Sequence, residues 1–385
     1  MKIVHVTLRF DAPGGVETNV RELSRRLKAA GEEVEVFASD LYDEAGWDRR
    51  NNYRPEVDGV PVRRFAVRKR LVPHLTLPLM VGLIDALADS GADVIHAHSH
   101  RYGHVLQAAA VSARRGIPLV VSTSYHPADR RESWRNRQIL RLDDFAFGAT
   151  AYRTARAIVV QSELEARLLG EFAPADRVRI VPPGVDLDEW NHPAQDRADG
   201  LALPEKYFLY AGRIASNKGL ANLLEAWAGL PATPPLPLVL MGADWGERAS
   251  LERLAADRGI SDRVRWLGHV PDRGAYRAVF RGALGFVLPS EWEAYGFVLL
   301  EAMAARTPIV ATAIGAVPEV LGQGERGLLV PYGDAGAMRA AIRSILDDPS
   351  GALARAEAGW HHVQQLDWSV SAERFRALYR EVVRG

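Results

Sequence analysis

The feature that most constrains the fold is a regular alternation of short apolar runs with amphipathic segments, which begins at the first residues. Lys2–Leu8 has the pattern of a buried strand, a Gly14-Gly15 turn follows, and apolar residues then recur at helical spacing until Gly31. Strands that alternate with helices pair in parallel and are covered by those helices on both faces. The sequence therefore predicts an α/β protein with doubly wound, Rossmann-like sheets.

The alternation continues to the C-terminus with one interruption. Before it, the pattern predicts strands at 33–38, 60–67, 93–98, 118–122, 157–161 and 178–181, and helices at 77–87 and 103–115. After it, the pattern predicts strands at 207–211, 238–241, 264–267, 284–288, 309–311 and 327–330, and helices at 219–227, 248–258 and 297–305. A last amphipathic helix contains Phe375, Leu378, Tyr379 and Val382 at helical spacing.

The interruption is the polar, irregular segment Asn191–Pro204, which we interpret as a linker. A chain of 385 residues exceeds one typical domain, so we expect an N-terminal Rossmann-like domain at 1–190 and a second one at 191–366. Sheets of this kind bind ligands at the carboxyl ends of their strands. We therefore expect the site in a cleft between the two domains.

Composition excludes several classes of protein. The chain has no cysteine, which excludes disulfides, thiol catalysis and cysteine-ligated metals. Its 48 basic and 48 acidic residues cancel, which argues against a strongly basic nucleic-acid binder. The most apolar stretch, Leu75–Ala88, contains Asp85 and is too short to span a bilayer, and the N-terminus lacks the pattern of a signal peptide. We expect a cytoplasmic protein.

The segment from Pro289 to Thr312 carries the strongest local signal. Gly296 follows a predicted strand and opens a helix, so the amides of Gly296, Phe297 and Val298 are positioned to bind an anion. Glu293 in the loop and Glu301 on the helix suit hydrogen bonds from sugar or ribose hydroxyls. The alternative is a pair of solvated glutamates beside an ordinary helix cap.

Two further turns follow predicted strands. In Gly212–Gly219, Arg213 and Lys218 suit a diphosphate, with the guanidinium as a fork and the ammonium as a point charge. Gly14 and Gly15 permit close approach of the backbone to a ligand. Neither turn contains a Walker A or a G-x-G-x-x-G pattern. An ordinary basic loop and a plain tight turn are the respective alternatives.

Histidines cluster in the N-terminal half, at positions 96, 98, 100, 104 and 126. A metal site is not expected, because His96 falls inside a predicted strand and no nearby carboxylate completes a typical ligand set. His126 follows a predicted strand, which places it at the expected cleft with a hydrogen-bonding role. Satisfied structural histidines are the alternative.

Basic residues are unevenly distributed. Between Arg54 and Arg141 fourteen Lys or Arg face seven Asp or Glu, a net charge of +7. Within this stretch Arg130–Arg141 mixes five arginines with Trp134, Ile139 and Leu140. A basic amphipathic segment suits peripheral contact with an anionic membrane or a phosphorylated acceptor. A solvated face is the alternative.

Together these motifs resemble the retaining glycosyltransferases of family 4, which have the GT-B architecture, and within the family they are nearest the mannosyltransferases that act on phosphatidylinositol. The resemblance covers nearly the whole chain in order: Gly14-Gly15, Asp93–His98, His126, Val181–Asp186, Gly212–Gly219, Glu293 with Glu301, Pro318-Glu319 and Asp367–Ser369. Two positions depart from the family pattern, since Arg306 stands where glycine is usual and Pro182-Pro183-Gly184 replaces Pro-Asn-Gly.

The resemblance implies two Rossmann-like domains that face each other across a cleft, with a final helix at 367–385 that returns to the first domain. It implies transfer of a hexose, with retention and an α-glycosidic product, from a UDP- or GDP-linked sugar to a hydroxyl of a lipid-linked, glycan or small-molecule acceptor. No metal or other cofactor is implied. The rival functions are a GT-B-type sugar-nucleotide epimerase and a non-catalytic sugar-nucleotide-binding protein.

The resemblance also assigns roles to single residues. Arg213, Lys218 and the Gly296–Val298 amides would bind the diphosphate, with the Gly14-Gly15 turn approaching from the other domain. Glu301 would hold the ribose, Glu293 and His126 the transferred sugar, and the backbone at His269-Val270 the base.

Overall fold

In the computed structural model the chain divides into two units, and each contains a sheet of mainly parallel strands. The first unit comprises Met1–Pro183 and Trp368–Gly385, and the second comprises Gly184–Asp367. The structure describes residues 1–11, 14–43, 48–49, 53–72, 75–127, 133–192, 196–232 and 236–385. Arg130 and Arg131 of the predicted basic segment lie outside the described residues.

Among its described residues, the first unit begins with twelve strands and five α-helices. Its strands are β1 (Lys2–Thr7), β2 (Glu33–Ser39), β3 (Leu41–Asp43), β4 (Asp48–Arg49), β5 (Glu56–Val57), β6 (Val60–Phe65), β7 (Val67–Val72), β8 (Leu75–Met80), β9 (Val94–His98), β10 (Leu119–Ser122), β11 (Ala157–Val160) and β12 (Val178–Ile180). Its first five helices are α1 (Gly15–Ala29), α2 (Leu83–Ala88), α3 (Gly103–Arg115), α4 (Trp134–Phe147) and α5 (Glu163–Leu169).

Eight of these strands form the main sheet, in the order β12-β11-β10-β9-β1-β2-β6-β5. All neighbouring pairs are parallel except β5 and β6. The strand order reverses between β1 and β9, so the loops after these two strands lie at the switch point of the sheet, where such folds bind ligands.

Where the structure describes it, the second unit contains eight α-helices and six strands. In chain order they are α6 (Leu187–Trp190), β13 (Phe208–Ala211), α7 (Leu220–Ala228), β14 (Leu238–Met241), α8 (Arg248–Asp257), β15 (Val264–Gly268), α9 (Arg273–Arg281), β16 (Gly285–Leu288), α10 (Phe297–Ala304), β17 (Ile309–Thr312), α11 (Val317–Val320), β18 (Leu328–Val330), α12 (Ala335–Asp347) and α13 (Pro349–Val363). The strands pair in parallel in the order β15-β14-β13-β16-β17-β18, with the reversal between β13 and β16.

The last helix, α14 (Trp368–Arg384), belongs to the first unit. Its apolar face, with Phe375 and Tyr379, packs in one core cluster with Val20 and Leu27 of α1. A second cluster lines the other face of the same sheet and includes Ile95 and Val105. The sheet is therefore buried on both faces, as the strand pattern predicts.

One predicted helix is wrong. Residues 77–87 do not form a single helix, because β8 pairs with β7 as an antiparallel hairpin and α2 starts only at Leu83. Pro78 lacks the N–H that a helix interior needs, but it is tolerated in a two-stranded ribbon. Gly82, with φ of 78°, makes the left-handed turn between strand and helix.

The division between the units falls earlier than the expected boundary at 190/191. Leu187 and Trp190 of α6 are buried in the core of the second unit, and the amide of Leu187 donates to Asp367 Oδ2 at 3.1 Å. Part of the expected linker Asn191–Pro204 is also fixed to that unit. Asp196 pairs with both Arg277 and Arg281 of α9, at 2.7 Å in each case. Residues 193–195 of this segment lie outside the described residues.

Within the described part of the chain, no helix combines the length and the apolar character needed to cross a membrane.

Candidate functional site

The switch point of the second unit brings the two strongest sequence motifs together. The Gly212–Gly219 loop follows β13, and the loop from Pro289 to Gly296 follows β16. The amide of Glu291 donates to the carbonyl of Asn217 at 3.0 Å. Gly219 has φ of 65°, and a Cβ there would lie 2.0 Å from the carbonyl oxygen of Pro289. The two loops therefore approach each other so closely that only glycine fits at this position.

Lys218 and Glu293 form an ion pair across this contact. The Lys218 Nζ lies 2.6 Å from Glu293 Oε1, and the two side chains are only 13% and 14% exposed. The hydroxyl of Ser290 donates to the same carboxylate oxygen at 2.7 Å. The backbone of Glu293 is held too, since its carbonyl oxygen accepts from the Ala316 amide at 3.2 Å. Lys218 therefore has a carboxylate as its partner.

Arg213 has a different environment. Its guanidinium carbon lies 4.4 Å from the ring centroid of Trp245, in a cation–π contact. Among the described residues no carboxylate lies within ion-pair distance of Arg213. The second cation of the motif is therefore not neutralised.

The helix after the Glu293 loop begins where the sequence predicts. Gly296 has φ of 90°, a left-handed conformation that suits glycine, and α10 starts at the next residue. The first turn of α10 thus directs the backbone of Phe297 and Val298 toward the carboxyl end of the sheet, as a parallel α/β unit requires.

Glu301 lies one turn into α10, with its side chain 21% exposed. The hydroxyl of Tyr276 donates to its Oε2 at 2.7 Å, and Arg273 Nη1 lies 3.8 Å from its Oε1. Burial raises the pKa of Glu301 above its ordinary value, while Arg273 and Tyr276 oppose that shift. Both partners lie on α9, which the sequence analysis missed. Asp272, whose side chain accepts from the Ala275 amide at 2.7 Å, is the helix-start signal that could have revealed it.

His269 and Val270 directly follow β15, two strands from β13 in the sheet. His269 is exposed, and Val270 is 8% exposed. Because the sheet is parallel, these residues lie at the same edge as Arg213 and Lys218. The predicted residues of the second unit therefore all lie along one edge.

In the first unit, the Gly14-Gly15 turn lies at the switch point after β1. Gly14 is extended, with φ of 171°, so its conformation alone does not require glycine. A Cβ on Gly14 would lie 2.1 Å from Glu17 Oε2, because the Glu17 side chain folds over it. Glu17 is buried and pairs with Arg9 at 2.7 Å. The sequence analysis did not predict this pair.

His126 is exposed, and its Nδ1 lies 2.7 Å from the carbonyl oxygen of Pro127. The loop that leads to it is anchored by Glu165, which is 3% exposed. Glu165 Oε1 accepts from the Thr123 hydroxyl at 2.5 Å and from the Tyr125 amide at 2.6 Å, while its Oε2 accepts from the Gln161 amide at 2.7 Å. One carboxylate thus joins the loops after β10 and β11.

A second buried carboxylate anchors the same loop. Asp144 of α4 accepts a hydrogen bond from the Tyr125 hydroxyl at 3.1 Å and one from Arg101 Nη2 at 2.7 Å. Its Oδ1 lies 2.7 Å from His100 Nε2. Burial alone would raise the pKa of Asp144, but the hydrogen bonds from His100 and Arg101 bring it below its ordinary value.

The structure adds His5 to the predicted histidines. His5, His96 and His98 are buried under α14, and their nearest nitrogens all lie within 4.8 Å of one another. His5 Nδ1 is 2.9 Å from His98 Nε2, whereas His96 bonds to Tyr379 at 2.6 Å and to Ser122 at 2.8 Å. Within the described residues no carboxylate joins this group. Both His96 nitrogens are occupied, so the arrangement is that of a hydrogen-bonded core cluster.

The buried histidines predict acid sensitivity of the fold. Burial lowers the pKa of His5 to about 3 and that of His104 to about 4, and it also lowers the pKa values of His96 and His98. Below pH ~6.5 the unfolded chain binds protons that the folded chain does not, so stability falls as pH falls. Urea unfolding should show a free energy of unfolding that falls between pH 7 and 5, most steeply below pH ~6.5. A flat profile would contradict this.

The predicted basic amphipathic segment is helical where the structure describes it. Ser133 caps α4 by accepting from the Asn136 amide at 3.2 Å. Three large apolar side chains of α4 face solvent: Trp134 is 64%, Leu142 68% and Phe145 45% exposed. Arg135 and Arg137 are exposed beside them, and Arg141 pairs with Glu171 at 2.9 Å.

Comparisons with known proteins cover both units. Residues 13–189 match the model of Glycosyltransferase Family 4, and residues 192–359 match that of Glycosyl transferases group 1. The D-inositol 3-phosphate glycosyltransferase 1 of Catenulispora acidiphila is 30% identical, over 97% of this chain and 92% of that protein. The D-inositol 3-phosphate glycosyltransferase of Mycolicibacterium smegmatis is 31% identical, over 95% and 86%.

Solved structures show the same fold. A sucrose-phosphate synthase from Thermosynechococcus elongatus superposes with a TM-score of 0.75 at 24% identity, over 99% of this chain and 98% of that one. Anabaena HepE in complex with UDP superposes with a TM-score of 0.79 at 19% identity, over 99% and 100%.

Proposed function

The chain belongs to family 4 of the glycosyltransferases and has their GT-B fold, and on that premise we propose that it moves a hexose from a UDP- or GDP-linked sugar to a hydroxyl acceptor, with retention and an α-glycosidic product. The observation that carries the proposal is the meeting of the Arg213–Lys218 loop with the Glu293 loop at the switch point of the second unit. Cations placed there would stabilise the charge that develops on a departing diphosphate.

The Lys218–Glu293 pair supports separate roles for its two members. A bound diphosphate is a stronger competitor for the ammonium than one carboxylate, because it carries more negative charge. Binding of the donor would therefore transfer Lys218 from Glu293 to the diphosphate. The released carboxylate, still held by Ser290, would then accept a hydrogen bond from a hydroxyl of the transferred sugar.

Glu301 suits the ribose of the donor. Tyr276 occupies Oε2, which leaves Oε1 facing the weaker contact with Arg273 at 3.8 Å. A vicinal diol donating to a carboxylate gives strong, charge-assisted hydrogen bonds. The backbone at His269-Val270 lies farther along the same edge and would meet the base, while the amides at Gly296, Phe297 and Val298 would add donors to the diphosphate.

In the first unit, Gly14, Gly15 and His126 are proposed to complete the site. His126 would hydrogen-bond the transferred sugar near the reacting carbon. In a front-face reaction, the bond from that carbon to the diphosphate breaks and the bond to the acceptor oxygen forms on the same face. The departing phosphate oxygen takes the acceptor proton, so no protein nucleophile is needed. The oxocarbenium-like transition state is stabilised chiefly through the leaving group.

A donor screen followed by product analysis tests the proposal. A matched nucleotide sugar should raise the melting temperature, because ligand at about 100 times Kd stabilises by about 2.7 kcal/mol. The matched donor is then incubated with candidate alcohols, including D-inositol 3-phosphate, the compound in the names of the curated relatives. An α-linked product detected by NMR supports the proposal. An epimerised donor without acceptor would favour the epimerase, and binding without any product would favour the non-catalytic protein.

We expect the transfer to proceed without a metal. Arg213 and Lys218 supply the positive charge that a divalent cation would otherwise provide at the diphosphate. The measurement is the initial rate after treatment with EDTA, with and without added Mg²⁺ or Mn²⁺. Unchanged rates are expected, and a strict requirement for either ion would contradict this account of the leaving group.

We propose that the enzyme is cytoplasmic and that the exposed face of α4 contacts an anionic surface at the inner membrane face, where a lipid-linked acceptor would lie. Arginines beside Trp134, Leu142 and Phe145 suit such a surface.

Flotation with vesicles of phosphatidylcholine, with and without phosphatidylglycerol, should show binding only to the anionic vesicles. Replacement of the three apolar residues by alanine should abolish binding, while Leu353→Ala, at a 60% exposed apolar residue of α13, should not. If the protein behaves in the same way with both vesicle types, α4 is an ordinary solvated face.

A further inference from the structure

Trp245 lies at the edge of the sheet that carries Arg213, and the proposed function gives it no role. It stacks on the guanidinium of Arg213, and its side chain is still 37% exposed. A cation on the face of an indole gains electrostatic attraction from the ring. In this position the N–H groups of the guanidinium point outward in its own plane and can still donate to a ligand.

The backbone fixes Trp245 relative to Arg213. Beyond the ends of β13 and β14, the Ile214 amide donates to Ala243 and the Trp245 amide donates back to Ile214, both at 2.9 Å. A Cβ on Gly242 would lie 1.8 Å from the carbonyl oxygen of Gly212, so the two loops are in direct backbone contact. The backbone of Trp245 therefore continues the pairing between the two strands beyond their ends.

The carboxylates near Arg213 have other partners, so the contact of its guanidinium is with the indole of Trp245. Asp244 is the carboxylate nearest to Trp245 in the sequence, but its Oδ1 already accepts from the amides of Gly246, Glu247 and Arg248, at 2.9 to 3.1 Å. Lys218, in contrast, is paired with Glu293 at 2.6 Å. An aromatic partner orients a cation without neutralising it, whereas a carboxylate must be displaced before an anion binds.

We propose that Trp245 is a positioning residue for donor binding: it holds the Arg213 guanidinium, unneutralised, at the place where the diphosphate binds. The proposal rests on the proposed function. It does not require Trp245 to touch the donor, because its effect passes through Arg213.

The test is a double-mutant cycle on the binding of UDP and GDP, measured by calorimetry with Trp245→Ala, Arg213→Ala and the double variant. Trp245→Ala should weaken binding of the preferred diphosphate about fivefold to tenfold, the size of a cation–π contact plus the cost of ordering a free arginine. Arg213→Ala should weaken it more, and the double variant should match Arg213→Ala alone. Trp245→Phe should retain most of the affinity.

Two controls separate this role from a structural one. Trp360 of α13 stacks on Arg306 at 3.9 Å in the same unit. Arg306 follows α10 and precedes β17, so this contact lies at the opposite edge of the sheet. Trp360→Ala should therefore leave diphosphate affinity unchanged. The corresponding monophosphate should show a smaller loss than the diphosphate with Trp245→Ala.

The outcomes are distinct. Normal affinity of Trp245→Ala, together with a large loss for Arg213→Ala, would overturn the role of Trp245 and leave the proposed function intact. Additive losses in the double variant would show that Trp245 acts on the ligand directly and would also overturn it. Normal affinity of Arg213→Ala would contradict the proposed function itself.

Discussion

Replacement of Lys218 by alanine is expected to lower the turnover number by at least ~10²-fold while the protein stays folded, and replacement of Arg213 should do the same. Each side chain supplies positive charge where the diphosphate leaves, and removal of one such stabilising group typically costs about 10² to 10³ in rate. The measurement is turnover at saturating donor and acceptor, so that weaker binding is not mistaken for slower chemistry.

Lys206→Ala is the matched control. Lys206 is exposed and precedes β13, so it lies at the amino edge of the same sheet that presents Lys218 at its carboxyl edge. Circular dichroism should be unchanged in all three variants. Lys218→Ala should lower the melting temperature and keep a cooperative transition, because it leaves the mostly buried Glu293 carboxylate without its partner. Near-normal turnover in Lys218→Ala or Arg213→Ala would refute the site. A comparable loss in Lys206→Ala would show that net charge, and not position, is responsible.

Much of the fold could be predicted because its signal is local. Apolar strands followed by helices indicated parallel α/β units, and the predicted GT-B glycosyltransferase fold and family are confirmed. The failure at 77–87 was local as well, because an apolar run that contains Pro78 is ambiguous between strand and helix. Its pairing partner, β7, settles the choice, and that partner is visible only in the folded sheet.

The candidate site shows the same difference between local signals and contacts that form only in the folded protein. Arg213, Lys218 and Glu293 could be found because each lies on a loop that directly follows a strand, and Glu301 because it lies on the helix that follows the Glu293 loop. Their partners could not. Trp245 reaches Arg213 from the loop after the neighbouring strand, and Tyr276 reaches Glu301 from a helix 25 residues earlier in the chain. Likewise His96 and His98 lie on one strand, β9, whereas His5 joins them through the pairing of β1 with β9. Such contacts depend on strand order.

Asp144→Ala is expected to lower the free energy of unfolding by about 3–5 kcal/mol, the usual cost of removing one partner from a buried charged pair. Asp144 and His100 have side chains only 4% exposed, and Arg101 is 18% exposed. Without the carboxylate, the guanidinium and the imidazole would keep their buried positions and lose their acceptor. Urea unfolding at neutral pH measures the difference.

Glu171→Ala provides the comparison within the same part of the fold. It breaks the pair between Glu171 and Arg141 of α4. These two side chains are 58% and 54% exposed, and such surface pairs contribute about 1 kcal/mol or less.

The pH dependence of the stability of Asp144→Ala gives a second readout. Because the pKa of Asp144 is below its ordinary value in the folded protein, its contribution is present above pH ~4 and is lost as pH falls further. The difference in free energy of unfolding between wild type and Asp144→Ala should therefore become smaller in acid. A loss as small as that of Glu171→Ala would mean that Asp144 does not hold the Tyr125–His126 loop, and its Tyr125 contact would then be incidental.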